Sequence, residues 1–203
     1  RLGWSHGDQE IFSIPEMIEL FKIEDVNSKA SRLDPTKLNW INSHYLKTDA
    51  PEDVAKHLQW HMEQAGYDLA KGPALADVVI ALRDRVDTLK QMAERAAVWY
   101  QPLTHYAGPA VAKQLAPAAL LPMQTVRAEL ANLSEWSPAA IHAAMQTTGE
   151  KLGVGLGKIG PALRVAITGT QQSPSIDHTV FLAGREEALK RIDAALAMLA
   201  KLA

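Results

Sequence analysis

The sequence predicts an all-α chain. Three observations carry that expectation. Alanine is abundant while aromatics make up only 6% of residues, glycine and proline cut the chain into pieces of helical length, and apolar residues inside those pieces recur at the helical period. An apolar share of 47% supplies a sizeable core, so the 203 residues fold as one compact domain or as two to three small ones.

Ser13 opens the first helix, with Glu16 three residues on as its capping-box partner. Met17, Ile18 and Phe21 follow at helical spacing. Asp34 before Pro35 is the second start signal, a cap and then proline at the first helical position. Leu38, Ile41 and Tyr45 then line one face, with Trp40 beside them. The polar stretch 47–52 reads as a domain junction. One helix is expected over 52–70, ending near Gly72 and Pro73. A longer one is expected over 74–100, where Val78, Leu82, Val86, Leu89 and Met92 keep the period. Pro102, Gly108 and Pro109 mark a second junction. Beyond it, helices are expected over 110–115, 118–133 and 138–150, the last opened by Ser137 and Pro138. Segments 153–161 and 169–175 read as irregular, and 179–182 is the one strand candidate. The final helix starts after Gly184, with Leu189, Ile192, Leu196 and Leu199 as its buried stripe.

Composition closes several chemistries. With no cysteine, disulfides, zinc–thiolate sites, iron–sulfur clusters and a cysteine nucleophile are excluded. A formal charge of −2 offers no bulk positive field for nucleic acid or membrane. A few well-placed arginines can still read bases without a basic whole. The apolar stretch 115–123 is too short to span a bilayer and is interrupted by Pro117 and Pro122. The chain opens on Arg1 without a signal-like leader, which reads as a piece excised from a cytoplasmic protein.

The motifs that could carry chemistry are weak. Gly155, Gly157 and Gly160 form a GxGxxG pattern, but no strand precedes it and Pro161 follows closely, so a tight helix connection explains it better than a dinucleotide site. His57 and His61 stand four apart on one helix, a spacing that could share a metal, yet no third ligand is near. Packed or solvated histidines around Trp60 are the simpler reading. Ser175, Asp177 and His178 are too close in sequence to line up as a catalytic triad. The mixed charges at 83–95 and 185–191 read as solvated helix faces with intrahelical pairs. On residue chemistry alone the chain is a helical domain without a catalytic constellation.

Four stretches carry a family resemblance: RLGWSHGDQEIFS at 1–13, SRLDPTKLNWINSHYL at 31–46, LRDRVDTLKQMAERAAVWY at 82–100, and GVGLGKIGPALRVAITGTQQSPSIDHTVFLAGREEALKRI at 153–192. The chain resembles the C-terminal, tRNA-binding part of bacterial glutamyl-tRNA synthetases. The last stretch is the most specific; 48–80 and 101–125 match least. The resemblance implies the end of a stem-contact domain over 1–48, a first helical anticodon-binding subdomain over 49–110 and a second over 111–203. The family's HIGH motif and lysine–serine loop, which complete its ATP site, have no counterpart. The implied role is therefore RNA binding without amino-acid activation, with no cofactor in this part. ATP and magnesium are implied for the full-length enzyme only.

By resemblance, Arg164, Ser173, Pro174 and Ile176 fall where the family contacts the first two anticodon nucleotides. A guanidinium fork, a hydroxyl and an apolar turn suit splayed, unpaired bases. Arg85 matches an arginine that reads the third anticodon nucleotide, with Arg83 as the competitor one register away and a surface pair with Asp84 or Asp87 as the plainer reading. Lys37 matches a lysine on the tRNA backbone near the stem, a contact that positions without specifying. The implied partner is glutamate tRNA, bound by a cytoplasmic monomer, with no DNA and no membrane. A helical protein-interaction domain without an RNA role is the alternative.

Overall fold

The computed structural model describes residues 3–30, 32–104, 106, 108 and 113–201. The chain is all-α. Among the described residues no strand forms, and the only β contact is a lone bridge between His6 and Gln9. The expected helix start at 110, the glycine–proline junction at 108–109 and the 110/111 subdomain boundary fall at least partly outside the described residues.

Helix α1, Ile14–Leu20, begins as its caps dictate. Glu16 N–H donates to Ser13 Oγ at 3.3 Å and Ser13 N–H donates to Glu16 Oε2 at 2.7 Å. That backbone donor holds the Glu16 carboxyl below its ordinary pKa. Helix α2, Pro35–Thr48, is capped by Asp34, whose carboxylate accepts from Thr36 N–H at 2.9 Å. The apolar residues of these helices do not form a core. Ile18 is 77% exposed, and Met17, Phe21, Leu38, Trp40 and Tyr45 are exposed too. Of α2, only Ser43 and Leu46 are buried.

The remaining helices enclose two hydrophobic clusters. Helices α3 (Pro51–Gln64), α4 (Leu75–Leu82) and α5 (Leu89–Tyr100) surround Leu58, Met62, Val78, Leu82 and Met92. The helix expected over 52–70 thus ends earlier, at Gln64, before a 3-10 turn at Leu69–Lys71. Helices α6 (Leu120–Ala131), α7 (Pro138–Leu152), α8 (Leu156–Thr168), α9 (Ile176–Ala183) and α10 (Arg185–Leu199) surround the second cluster, which includes Met123, Leu130, Ile141, Leu163 and Ile192. Burying each such side chain contributes roughly 1.5–3 kcal/mol.

Three expectations need correction. The helix expected over 74–100 is two helices, because Arg83 caps α4 and Thr88 opens α5 by accepting from Gln91 N–H at 3.2 Å. Val86 stays buried between them, so the apolar period runs through the break. Segment 153–161 is not irregular: Gly155 caps α8, and Pro161 is accommodated inside it. Proline has no N–H to give the carbonyl of Gly157 four residues earlier, so that helical bond is absent. The strand candidate 179–182 lies within α9, since its β-branched residues are buried on one helical face.

Charged segment 185–191 departs from its expected solvated face in two residues, of which Arg185, half-buried, donates to Leu133 O and lies 5.5 Å over the Trp136 ring. Glu187 does pair with Lys190 and Arg191 along α10. Arg191, however, is only 5% exposed. Its guanidinium donates to Val98 O at 2.8 Å, Ile167 O at 2.7 Å and Gln101 O at 3.2 Å, crossing from the second cluster to the end of α5. Trp99 Nε1 makes a second crossing, donating to Thr179 O at 3.2 Å. Leu182 of α9 is buried in the first cluster.

The turn from α7 to α8 is tight enough to forbid a side chain. Gly153 takes a left-handed φ of 63°, and a Cβ on Gly149 would sit 2.7 Å from Val154 O. Elsewhere in a helix, glycine to alanine gains about 1 kcal/mol. At this position we expect Gly149→Ala to destabilise instead, by about 1–3 kcal/mol through overpacking against backbone. Chemical denaturation at constant slope measures the change. A gain in stability would show that the turn relaxes freely.

Candidate functional site

A cleft of about 940 Å³ opens between the end of α5 and the α8–α9 loop. One wall carries Leu82, Arg85, Arg95, Val98 and Gln101. The other carries Arg164, Thr168 and the loop 169–175. Its lining comes from α4, α5 and the segment after α5 on one side and from α8 and the loop after it on the other, which explains why no single segment of sequence displays it.

Arg85 sits in the loop 83–88 between α4 and α5, not on a helix. The loop is held at both ends. Arg85 N–H donates to Leu82 O at 2.8 Å, and Asp87 N–H donates to Gln91 Oε1 at 2.9 Å. Asn42 Nδ2 of α2 also donates to Asp87 O. Arg85 is exposed, and among the described residues its guanidinium has no hydrogen-bond or ion-pair partner, neither Asp84 nor Asp87. Arg83 caps α4 and does not line the cleft.

Arg164 projects from α8, half-buried, and donates through Nε to Ser173 Oγ at 2.8 Å. Its terminal nitrogens make no hydrogen bond among the described residues. Burial lowers the pKa of this guanidinium, and the Arg85 charge lowers it further. It stays protonated at neutral pH all the same. Arg85 and Arg164 are thus two of the three guanidiniums that line the cleft, with Arg95 the third and Glu94 the carboxylate beside it.

Ser173 is a scaffold for that arginine. Its hydroxyl accepts from Arg164, donates to Pro174 O at 2.9 Å and has Thr179 Oγ1 at 3.0 Å. A hydroxyl holds one donor and two lone pairs, so little capacity is left for a ligand. Pro174 lines the cleft although it is buried. Ile176 does not line it: it begins α9 and packs against the second cluster. Lys37 is on α2, away from the cleft, paired with Glu10.

Sequence reasoning overlooked Arg95, Gln101, Gln171 and Gln172, which also line the cleft. Arg95 stands on α5, across the helix break from Arg85, so no helical spacing connects the two. The glutamines belong to the polar run TGTQQS, whose length between two helices was the available signal. The weak motifs stay weak. Among the described residues no group of three acidic or histidine side chains could hold a metal, His57 and His61 included. The glycine run cradles no phosphate loop, since Gly157 and Gly160 lie within α8. Ser175 Oγ and His178 Nδ1 are 3.0 Å apart, but Asp177 Oδ1 lies 3.6 Å from that same nitrogen and cannot orient the ring from behind.

Comparison with known proteins places this cleft in context. The chain is 58% identical over 196 residues to glutamate–tRNA ligase of Xanthomonas campestris pv. campestris strain B100, covering 97% of this chain and 42% of that protein. It is 57% identical to glutamate–tRNA ligase of Xylella fastidiosa strain M23, with the same coverage. The chain thus spans about two fifths of the length of these relatives. The crystal structure of a glutamate tRNA ligase from Elizabethkingia meningosepticum in complex with its amino acid shares the fold, with a TM-score of 0.84 at 23% identity, over 98% of this chain and 39% of that one. Glutamate-tRNA synthetase from Elizabethkingia anophelis gives 0.81 at 23% identity, over 97% of this chain and 38% of that one. The family model for the anticodon binding domain matches residues 53–196, which include both walls of the cleft. The chain belongs to the anticodon binding domain family.

Proposed function

We propose that this chain is the anticodon-reading part of a glutamate–tRNA ligase and that the cleft between α5 and the 169–175 loop receives the anticodon bases. The carrying observation is the pair Arg85 and Arg164. Two guanidiniums in one cleft repel each other and keep free donors, an arrangement that an anionic, acceptor-rich ligand relieves. The glutamines and threonines of the loop add edge-reading donors and acceptors, and half-buried Val98 on the α5 wall offers apolar packing surface. No observation favours the protein-interaction alternative.

Within this reading the chain divides as follows. Residues 1–48 end the stem-contact domain, with Lys37 meeting the tRNA backbone. Residues 49–110 and 111–203 form two anticodon-binding subdomains, one around each hydrophobic cluster. Arg164, held by Ser173 beside Pro174 and Ile176, serves the first two anticodon nucleotides. Arg85 serves the third, where the glutamate and glutamine anticodons differ. Attachment of glutamate with ATP and magnesium belongs to residues elsewhere in the longer enzyme, because the residues described here do not fit a nucleotide or a metal. The enzyme is a cytoplasmic monomer in this reading. Among the described residues no helix is long and apolar enough to cross a membrane.

Two measurements test the assignment. Arg164→Ala should weaken binding to a glutamate anticodon stem-loop by about 1–3 kcal/mol with little change in melting temperature. Collapse of the fold with unchanged binding per folded molecule would make Arg164 structural. Arg85→Gln should narrow the gap between stem-loops that differ only at the third anticodon nucleotide. Glutamine is both donor and acceptor, so it tolerates guanine as well as cytosine. One such base contact is worth about 1–3 kcal/mol, roughly 5- to 150-fold, and part of it should vanish. Equal discrimination by wild type and variant, titrated at one salt concentration, would remove Arg85 from base reading. Wild-type protein that does not prefer glutamate tRNA over an unrelated tRNA would favour the interaction domain.

A further inference from the structure

We infer that Arg191, which never reaches the cleft, sets the separation of its two walls and so acts as a positioning residue for RNA recognition. The inference rests on the anticodon reading above. Arg191 is 5% exposed and does not line the cleft, so it has no route to the RNA itself.

What it touches is the back of both walls. Val98 and Gln101, whose carbonyls accept from its two terminal nitrogens, are cleft-lining residues at the end of α5. Ile167, whose carbonyl accepts from the same Nη1 as Val98, precedes Thr168 at the end of α8. Thr168 lines the opposite wall and bonds Arg164 O through its hydroxyl at 2.8 Å. One planar group therefore fixes the end of α5 relative to the end of α8. Its Nε is held in turn by Glu187 Oε1 at 2.9 Å, one turn earlier on α10.

The geometry requires a fork. Lysine carries the same charge but ends in a single ammonium, which cannot reach three carbonyls on two elements while also holding Glu187. The neighbouring crossing, Trp99 Nε1 to Thr179 O, and the burial of Leu182 in the first cluster join α5 to α9 rather than to the end of α8.

The chain has no cysteine, so paired labels can be placed without background. Cysteines at Lys90 on α5 and Lys158 on α8, both exposed, carry spin labels whose distance distribution reports the wall separation. In Arg191→Lys the distribution should broaden while circular dichroism keeps the helical signal. Affinity for the glutamate anticodon stem-loop should fall roughly 2- to 30-fold, the range through which residues remote from a ligand act. Saturating stem-loop should narrow the distribution again, a recovery that mere loss of stability would not produce. Glu187→Gln, which removes the partner's charge but leaves the fork, should keep the wild-type distribution.

An unchanged distribution in Arg191→Lys, or binding per folded molecule equal to wild type, overturns the inference and leaves the RNA reading standing. If Arg191→Lys does not fold, Trp99→Phe decides the matter. With only the tryptophan crossing removed, a narrow distribution supports Arg191 as the element that sets the width, and a broad one overturns it. Wild-type protein that binds no stem-loop defeats the RNA reading itself, whatever the labels report.

Discussion

The fold turns on a problem common to helix ends: the last carbonyls of a helix have no partner within it. Here a carbonyl near the end of α5, Val98 O, and one near the end of α8, Ile167 O, lie within reach of a single side chain. A side chain with several coplanar donors and a positive charge answers both the missing hydrogen bonds and the negative ends of the two helices. Arg191 is that side chain. An unsatisfied buried carbonyl costs about 1–3 kcal/mol, a large share of the roughly 5–15 kcal/mol that holds a domain together. The register of α10 follows from this demand. Ala188, Ile192, Ala195 and Leu199 face the core on the stripe that Arg191 continues.

Bringing those two ends together also creates the cleft. The chain leaves α5 and α8 at neighbouring points, so the residues after each helix border a common space. Gln101 follows one helix, and the 169–175 loop follows the other. Gly169, left-handed at φ 70°, turns the chain sharply out of α8. The loop then returns to Ser173, which both steadies Arg164 and approaches the Thr179 hydroxyl of α9. Site and scaffold therefore share their hydrogen bonds, and a cleft this close to a core keeps its shape without a ligand.

Local chemistry was legible in the sequence and long-range chemistry was not. Ser13, Asp34 and Ser137 announce their helices because a cap acts on amides two or three residues away. The break between α4 and α5 was hidden because Val78, Leu82, Val86 and Met92 stay in phase across it, as buried residues must on either side of a short loop. Helix α8 was hidden for the opposite reason: glycine and proline outweighed an apolar pattern that tertiary burial then stabilised. Arg191 looked like one more surface charge, since nothing within a helical turn reveals that carbonyls 24, 90 and 93 residues away will surround it. Arg85 and Arg164 were singled out through family resemblance, and Arg95 was not. Their chemistry alone did not distinguish Arg85 from Arg83, and the difference became visible only as one residue on the cleft wall and one at a helix end.

If Arg85 reads a base as proposed, the helix break bears on how it does so. On a continuous helix its side chain would project from one turn of a cylinder, with only its rotamers to adjust. In a loop the backbone could move as well, and a guanidinium on a moving backbone would lose affinity to the ordering that binding imposes. The 83–88 loop avoids that loss. Arg85 N–H is tied to Leu82 O, Gln91 N–H donates to Thr88 Oγ1 while Asp87 N–H donates to Gln91 Oε1, Val86 is buried, and Asn42 reaches across from α2 to Asp87 O. What remains free is the guanidinium itself. Against a formal charge of −2 for the whole chain, attraction at long range is weak. On the proposed RNA reading, discrimination then comes from donors already in place, and the loop beside the cleft is where Arg85 offers them.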